Sequence, residues 1–184
     1  MELGSYYCIP DVFTKQECRS IVNTFSSKCL AHATMLKGKN KEIRTSDVYF
    51  IEPTPENDWI YKRIMGIIHK LNYEKYCFFI DQEHLQLLQF TRYKEGEYYK
   101  WHTDTGSSPD TCCRKLSVSV QLSPETAYEG GDLQFGLLDE EAGTVSKQQG
   151  SLIIFPSIIR HRVTPVTRGV RYSLVGWAVG PPFK

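Results

Sequence analysis

The chain has 184 residues, 41% of them hydrophobic, which is enough for one domain with a sizeable core. With 23% charged residues and a formal net charge of +1, bulk electrostatics gives no reason to expect a nucleic-acid or membrane partner. No apolar run approaches the roughly 20 residues that cross a bilayer, and the opening MELGSYYCIPDVF lacks the basic stretch and apolar core of a signal peptide. The expectation is a cytoplasmic protein.

The first third predicts helices. Residues 14–29 place Cys18, Ile21, Val22 and Phe25 at spacings of three and four, which gives one buried face. Thr14 followed by Glu17 fits a capping box at its start. The polar run KGKNKEIRTSD predicts an exposed loop, and Val48–Ile51 a short strand stopped at Pro53. A second helix is expected from Asp58 to Leu71, striped by Trp59, Ile60, Ile64, Ile67, Ile68 and Leu71.

From about residue 77 short β-rich runs alternate with turn residues: CFFI, HLQLLQFTRY, KLSVSVQL, GGDLQFGLL, GTVSK, SLIIFP, HRVTPV and RYSLVGWAV. Leu116, Val118 and Val120 alternate with Ser117, Ser119 and Gln121, the period of a strand with one apolar and one polar face. Many short strands read as a sandwich or barrel, with the helices covering one sheet. The economical division is a single domain over 1–184, with helical support in 1–76 and the β core in 77–180. The six cysteines have no zinc-knuckle spacing, and reduced thiols are expected.

The chemistry centres on His102-Thr103-Asp104. On a strand, residues i and i+2 point the same way, so an imidazole and a carboxylate can reach one ion. His161, after SLIIFP, is the best third ligand. Two imidazoles and a carboxylate on one face of an octahedral ion leave three open positions, as non-haem iron(II) requires. The same residues also permit zinc with an activated water. His32, His69 and His84 have no comparable partners and are taken as structural.

The segment YKEGEYYKWHTD resembles the first iron-ligand segment of prolyl 4-hydroxylase-like 2-oxoglutarate oxygenases, of the compact microbial or viral type. Tyr93, Gly96, Glu97, Tyr99, His102 and Asp104 fall where that family has a tyrosine, a glycine, usually a glutamine, a second tyrosine and the two ligands. EGGDLQF and QGSLIIFPSIIRHRVTPVTRGVRYSLVGW supply the glycine-rich turn, the strand into the distal histidine and the basic residue ten positions later. The likeness covers residues 90 to 177. Glu97 and the stretch Thr105 to Arg114 depart from it.

The resemblance implies a fold that is mainly β with flanking α, a cupin-like double-stranded β-helix or jelly roll. It implies iron(II) on His102, Asp104 and His161, with 2-oxoglutarate and O2 as co-substrates and ascorbate as a further candidate. Arg171 would anchor the far carboxylate of 2-oxoglutarate, because its planar fork binds a carboxylate bidentately. Tyr93 would meet the same carboxylate, with Ser173 or Thr164 as added donors. Tyr99 and Trp177 are candidates for the substrate mouth. No catalytic residue beyond the metal ligands is expected.

The implied activity is hydroxylation of a peptidyl proline, coupled to conversion of 2-oxoglutarate to succinate and CO2. The loops at 38–47 and Thr105 to Arg114 are the expected substrate grips. Nucleic-acid demethylation is disfavoured, since Glu42 and Asp47 offset the cluster of Lys37, Lys39, Lys41 and Arg44. A free amino acid or small metabolite is the alternative substrate for the same chemistry. The rival from another class is a non-catalytic jelly-roll module that binds metal or ligand without turnover. Sequence leaves the oligomeric state open.

Overall fold

The computed structural model describes residues 6–28, 31–32, 43–81, 85–137 and 140–182. Its elements run β1 (Tyr7–Ile9), α1 (Lys15–Phe25), β2 (Ala31–His32), β3 (Asp47–Ile51) and α2 (Asp58–Leu71), which continues into a π-helical turn (Asn72–Tyr76). There follow β4 (Leu88–Tyr93), β5 (Tyr99–His102), β6 (Arg114–Gln121), a short 3-10 turn (Glu125–Ala127), β7 (Tyr128–Gly130), β8 (Leu133–Leu137) and β9 (Glu140–Thr144). The chain closes with β10 (Leu152–Pro156), β11 (Arg160–Val163), β12 (Val166–Gly169) and β13 (Arg171–Val179).

Antiparallel pairing builds a seven-stranded sheet in the order β1-β10-β6-β13-β4-β3-β2 and a four-stranded sheet in the order β5-β11-β8-β9. A β12-β7 ribbon stands apart from both. This is the expected jelly roll, with α1 and α2 on the outer face of the large sheet. Ile21 and Phe25 of α1 and Ile60, Ile64 and Ile68 of α2 pack with Leu88, Phe90, Leu116, Val120, Leu152 and Leu174 in one buried cluster. A second cluster, including Leu133, Phe135, Ile153, Phe155 and Val163, contains residues of both sheets. No helix among the described residues is long and apolar enough to cross a membrane.

The predicted helix over 58–71 has those bounds in the structure, and the one over 14–29 ends at Phe25. The capping box at Thr14 is complete: Glu17 N donates to Thr14 Oγ1 at 3.1 Å, and Thr14 N donates to Glu17 Oε2 at 2.8 Å. Arg63 of α2 adds a bidentate pair to Glu17 at 2.8 and 2.9 Å. Arg63 first, against the cost of burial, holds the Glu17 carboxyl down to about 2. That pair ties the two helices together, and a depressed carboxylate stabilises only while ionised. Glu17→Gln is expected to cost about 1 kcal/mol at neutral pH. In urea unfolding, the gap between wild type and variant should shrink as pH falls from about 4.5 to about 2.

Three expectations need correction. The N-terminal third is more than helical support, because β1 and β2 join the predicted strand β3 in the large sheet. Residues 77–80 form no strand: Cys77 takes a left-handed φ of 57°, and the Asn72 amide satisfies both backbone groups of Phe78 at 2.9 Å. The strand expected in GTVSK lies earlier, at Glu140–Thr144. Lys37, Lys39, Lys41, Cys29 and His84 lie outside the described residues, and the predicted loop at 38–47 is described only from Ile43.

Candidate metal centre and its cavity

Strand pairing sets His161 directly opposite His102 on β11 and β5. Asp104 is not on the strand with His102; it lies two residues beyond the end of β5. Its placement comes from across the barrel, where Asp104 N and Thr105 N donate to Ser157 O at 3.0 and 3.2 Å. The turn after Pro156 therefore holds the carboxylate as well as leading to His161. One potential ligand atom from each of His102, Asp104 and His161 lies within 4.8 Å of the others. Asp104 Oδ1 is 3.7 Å from His102 Nε2, and Oδ2 is 3.5 Å from His161 Nε2.

The surroundings aim these atoms. His102 Nδ1 bonds Lys100 O at 2.8 Å and His161 Nδ1 bonds Ile159 O at 2.9 Å. A carbonyl accepts, so each Nδ1 carries a proton and each Nε2 faces Asp104. Burial first, and His161 second, push His102 down to about 3, so it is neutral at ordinary pH. Burial alone would raise the Asp104 carboxyl, but the two imidazoles and Ser117 outweigh it and hold Asp104 below the usual range. A neutral His102 and an ionised Asp104 are protonation states that a divalent metal needs.

Ser117 is a residue the sequence reading did not single out. Its hydroxyl donates to Asp104 Oδ2 at 2.7 Å and is 2.9 Å from Ser157 Oγ. The only signal was the polar face of β6. Leu116, Val118 and Val120 join the helix-side core, whereas Ser117, Ser119 and Gln121 are also buried, at 0%, 6% and 1% exposure. That polar face contributes to the site. Ser117→Ala leaves Asp104 without its donor, and iron(II) affinity is expected to fall about 10- to 100-fold in equilibrium titration.

A cavity of about 330 Å³ reaches from the three ligands into the barrel. Arg171 lines it and is 1% exposed. Its Nη2 donates to Gln121 Oε1 at 3.0 Å and its Nη1 to Ser173 Oγ at 3.3 Å, while Nε is buried without a partner. The Tyr93 ring lies 5.6 Å away. Gly131, at φ 61°, leaves room for it, since a Cβ there would come within 3.1 Å of Arg171 Cδ. No carboxylate among the described residues pairs with this buried cation. Such a charge needs an anion, and the far carboxylate of a small dicarboxylate fits it.

Tyr93, Tyr99, Ser173 and Trp177 all line the cavity with the three ligands and Arg171. Tyr99 stacks on His102 with ring centroids 3.5 Å apart, and burial first pushes its hydroxyl up to about 12. Thr164 is placed elsewhere: its hydroxyl accepts from Asp132 N at 2.8 Å and faces Asp132 Oδ2 at 3.2 Å. Two further arginines, Arg44 and Arg114, line the cavity. Sequence reading placed Arg44 in a solvated loop and Arg114 at the end of an insert. Arg160 and Arg162 lie over Trp101 and take no part in the cavity wall.

Residues 88–179 match a family model described as the 2OG-Fe(II) oxygenase superfamily. A PKHD-type hydroxylase of Shewanella oneidensis is 30% identical over 178 residues, covering 92% of this chain and 75% of that protein. One of Alteromonas mediterranea is 37% identical over 95 residues, 48% of this chain. The chain spans about two-fifths of the length of that protein and of similar curated relatives. Among solved structures, a Pseudomonas putida prolyl-4-hydroxylase superposes with a TM-score of 0.77 at 21% identity, covering 97% of this chain and 94% of that one. At that identity the likeness speaks for the fold alone.

Proposed function

The chain belongs to the 2OG-Fe(II) oxygenase superfamily, and from that premise we propose that it is an iron(II)- and 2-oxoglutarate-dependent hydroxylase acting on peptidyl proline. The observation that carries the proposal is the pairing, in one cavity, of a two-histidine, one-carboxylate cluster with a buried arginine that has no carboxylate partner. His102, Asp104 and His161 would hold the iron, and Arg171 the far carboxylate of 2-oxoglutarate. Bound there, iron(II) supplies the oxygen chemistry that couples decarboxylation of 2-oxoglutarate to succinate with hydroxylation of a C–H bond.

The chain's own residues do the rest by placement. The carbonyls of Lys100 and Ile159 fix the tautomers of the two imidazoles. Ser117 donates to the Asp104 carboxylate, and the Ser157 carbonyl accepts from the Asp104 backbone N–H. Gln121 and Ser173 orient the Arg171 fork, and Tyr93 closes one side of it. Leu133, Phe155, Val163 and Val175 give the cavity apolar wall that keeps competing water out. No side chain is required as a general base.

The proline assignment rests on the resemblance of YKEGEYYKWHTD and the segments after it to prolyl 4-hydroxylase-like oxygenases. A neighbour that shares the fold is, by name, a prolyl-4-hydroxylase. A panel of proline peptides, incubated with iron(II), 2-oxoglutarate and isotopically labelled O2, tests it by mass spectrometry. One labelled oxygen on proline is the expected result. Succinate without any oxygen on a peptide would remove the peptide substrate and leave a free amino acid or metabolite.

A further inference from the structure

The charges of the cavity do not balance. Among the described residues that line it, Asp104 is the sole acid, against Arg44, Arg114 and Arg171. Iron(II) and Arg171 would together be neutralised by Asp104 and a 2-oxoglutarate dianion. Arg44 and Arg114 are what remains. Both are half-buried, and a half-buried cation without an anion is retained at a cost in solvation.

The two are built alike. Arg44 lies over the Tyr99 ring at 4.8 Å, and donates through Nε to Ser46 Oγ at 2.7 Å and through Nη1 to Gln89 Oε1 at 3.4 Å. Arg114 lies over the Trp177 ring at 3.7 Å, and donates through Nε to Gln86 Oε1 at 2.8 Å and through Nη1 to Asp104 O at 3.4 Å. Every acceptor is neutral. In each residue Nη2 has no protein acceptor among the described residues, while the stacked ring and two bonds fix the plane of the fork. Asp104 first, and Asp110 more weakly, act on Arg114 at a distance, without an ion pair. Both guanidiniums act electrostatically on Tyr99, which stacks on the ligand His102. They therefore flank the space beside the metal cluster.

We propose that Arg44 and Arg114 are specificity residues that receive a carboxylate of the prime substrate, so that the hydroxylated residue sits close in the chain to an acidic group. This rests on the hydroxylase reading above and narrows its substrate class. A preformed fork loses little freedom on binding a carboxylate, and a charge-assisted pair in a half-buried site discriminates acid from amide by about 10- to 100-fold. The carboxylate has two sources in a peptide, an Asp or Glu side chain and the chain terminus.

The test uses fluorescently labelled proline peptides in which Asp or Glu is stepped from three residues before the proline to three after it. Each is paired with its Asn or Gln counterpart, and a second set ends at the proline with a free or an amidated terminus. Binding to the iron(II)- and 2-oxoglutarate-loaded protein is read anaerobically by anisotropy, and hydroxylation is then read in air. The expected result is an acid-over-amide ratio of about 10 or more at one or two positions. The ratio should collapse toward one in Arg44→Gln and Arg114→Gln and survive in part in Arg114→Lys. Because the ratio is read within each variant, a general loss of activity cancels. Preference in the terminal set alone assigns the carboxylate to the chain end.

Hydroxylation with equal ratios for acid and amide would overturn the inference and leave the hydroxylase reading intact. Acid-selective binding without hydroxylation would do the reverse. Binding of no peptide would overturn both the inference and the peptide assignment.

Discussion

Arg171→Met is expected to raise the 2-oxoglutarate KM by about 100-fold or more, because removing one partner of a buried, hydrogen-bonded charge pair costs about 2–5 kcal/mol. The same change should leave the ligand-free protein as stable as wild type or more so. Arg171 is 1% exposed, has no carboxylate partner and leaves its Nε unsatisfied, so its burial costs solvation that a methionine of similar length would not. A purely structural arginine predicts the opposite, a loss of stability. Arg171→Lys keeps a charge but not the fork held by Gln121 and Ser173, and should fall between. Thermal unfolding with and without 2-oxoglutarate separates these cases. Wild type should gain stability from the co-substrate, by about 2.7 kcal/mol at a hundred times Kd, and Arg171→Met almost none.

Asp104→Asn is expected to abolish activity through metal binding alone. Even the outer partners of a metal ligand are worth about 10- to 100-fold in affinity, so losing the single anionic ligand should exceed that. The amide keeps the shape of the carboxylate, the Ser117 hydroxyl and the backbone bond to Ser157. Asp104 is 8% exposed, and its surroundings favour the ionised carboxyl. The metal-free variant should therefore lose some stability at neutral pH while gaining nothing from added iron(II). Equilibrium iron(II) titration and thermal unfolding check the two halves. A variant that binds iron(II) as tightly as wild type would remove Asp104 from the ligand set.

Sequence alone exposed those elements whose period is local. The helix at 58–71 has its predicted bounds because its stripe of isoleucines closes on one face, and the Thr14–Glu17 box marks the start of α1. The metal cluster was legible because the segments around His102, Asp104 and His161 resemble a known family, whereas the spacing alone also permitted zinc. What escaped depends on contacts distant in the chain. The polar face of β6 gives the local signal of an exposed face, yet Ser117 and Gln121 are buried against Asp104 and Arg171. Arg44 sits in a run of charges that looks solvated, and only its bridge to Tyr99 brings it into the cavity. The apolar run at 77–80 was misread because Asn72 takes the bonds a neighbouring strand would have made.

The central claim, that this cavity joins a metal to a 2-oxoacid and consumes the latter with oxygen, is tested most directly by succinate formation. The protein is supplied with iron(II) and 2-oxoglutarate, with and without the peptide panel, first under nitrogen and then in air. Succinate that appears only in air, and is lost in His102→Ala, is the predicted result. No succinate from folded, iron-loaded protein with any peptide in air would contradict the account and leave a jelly roll that binds its ligands without turning them over.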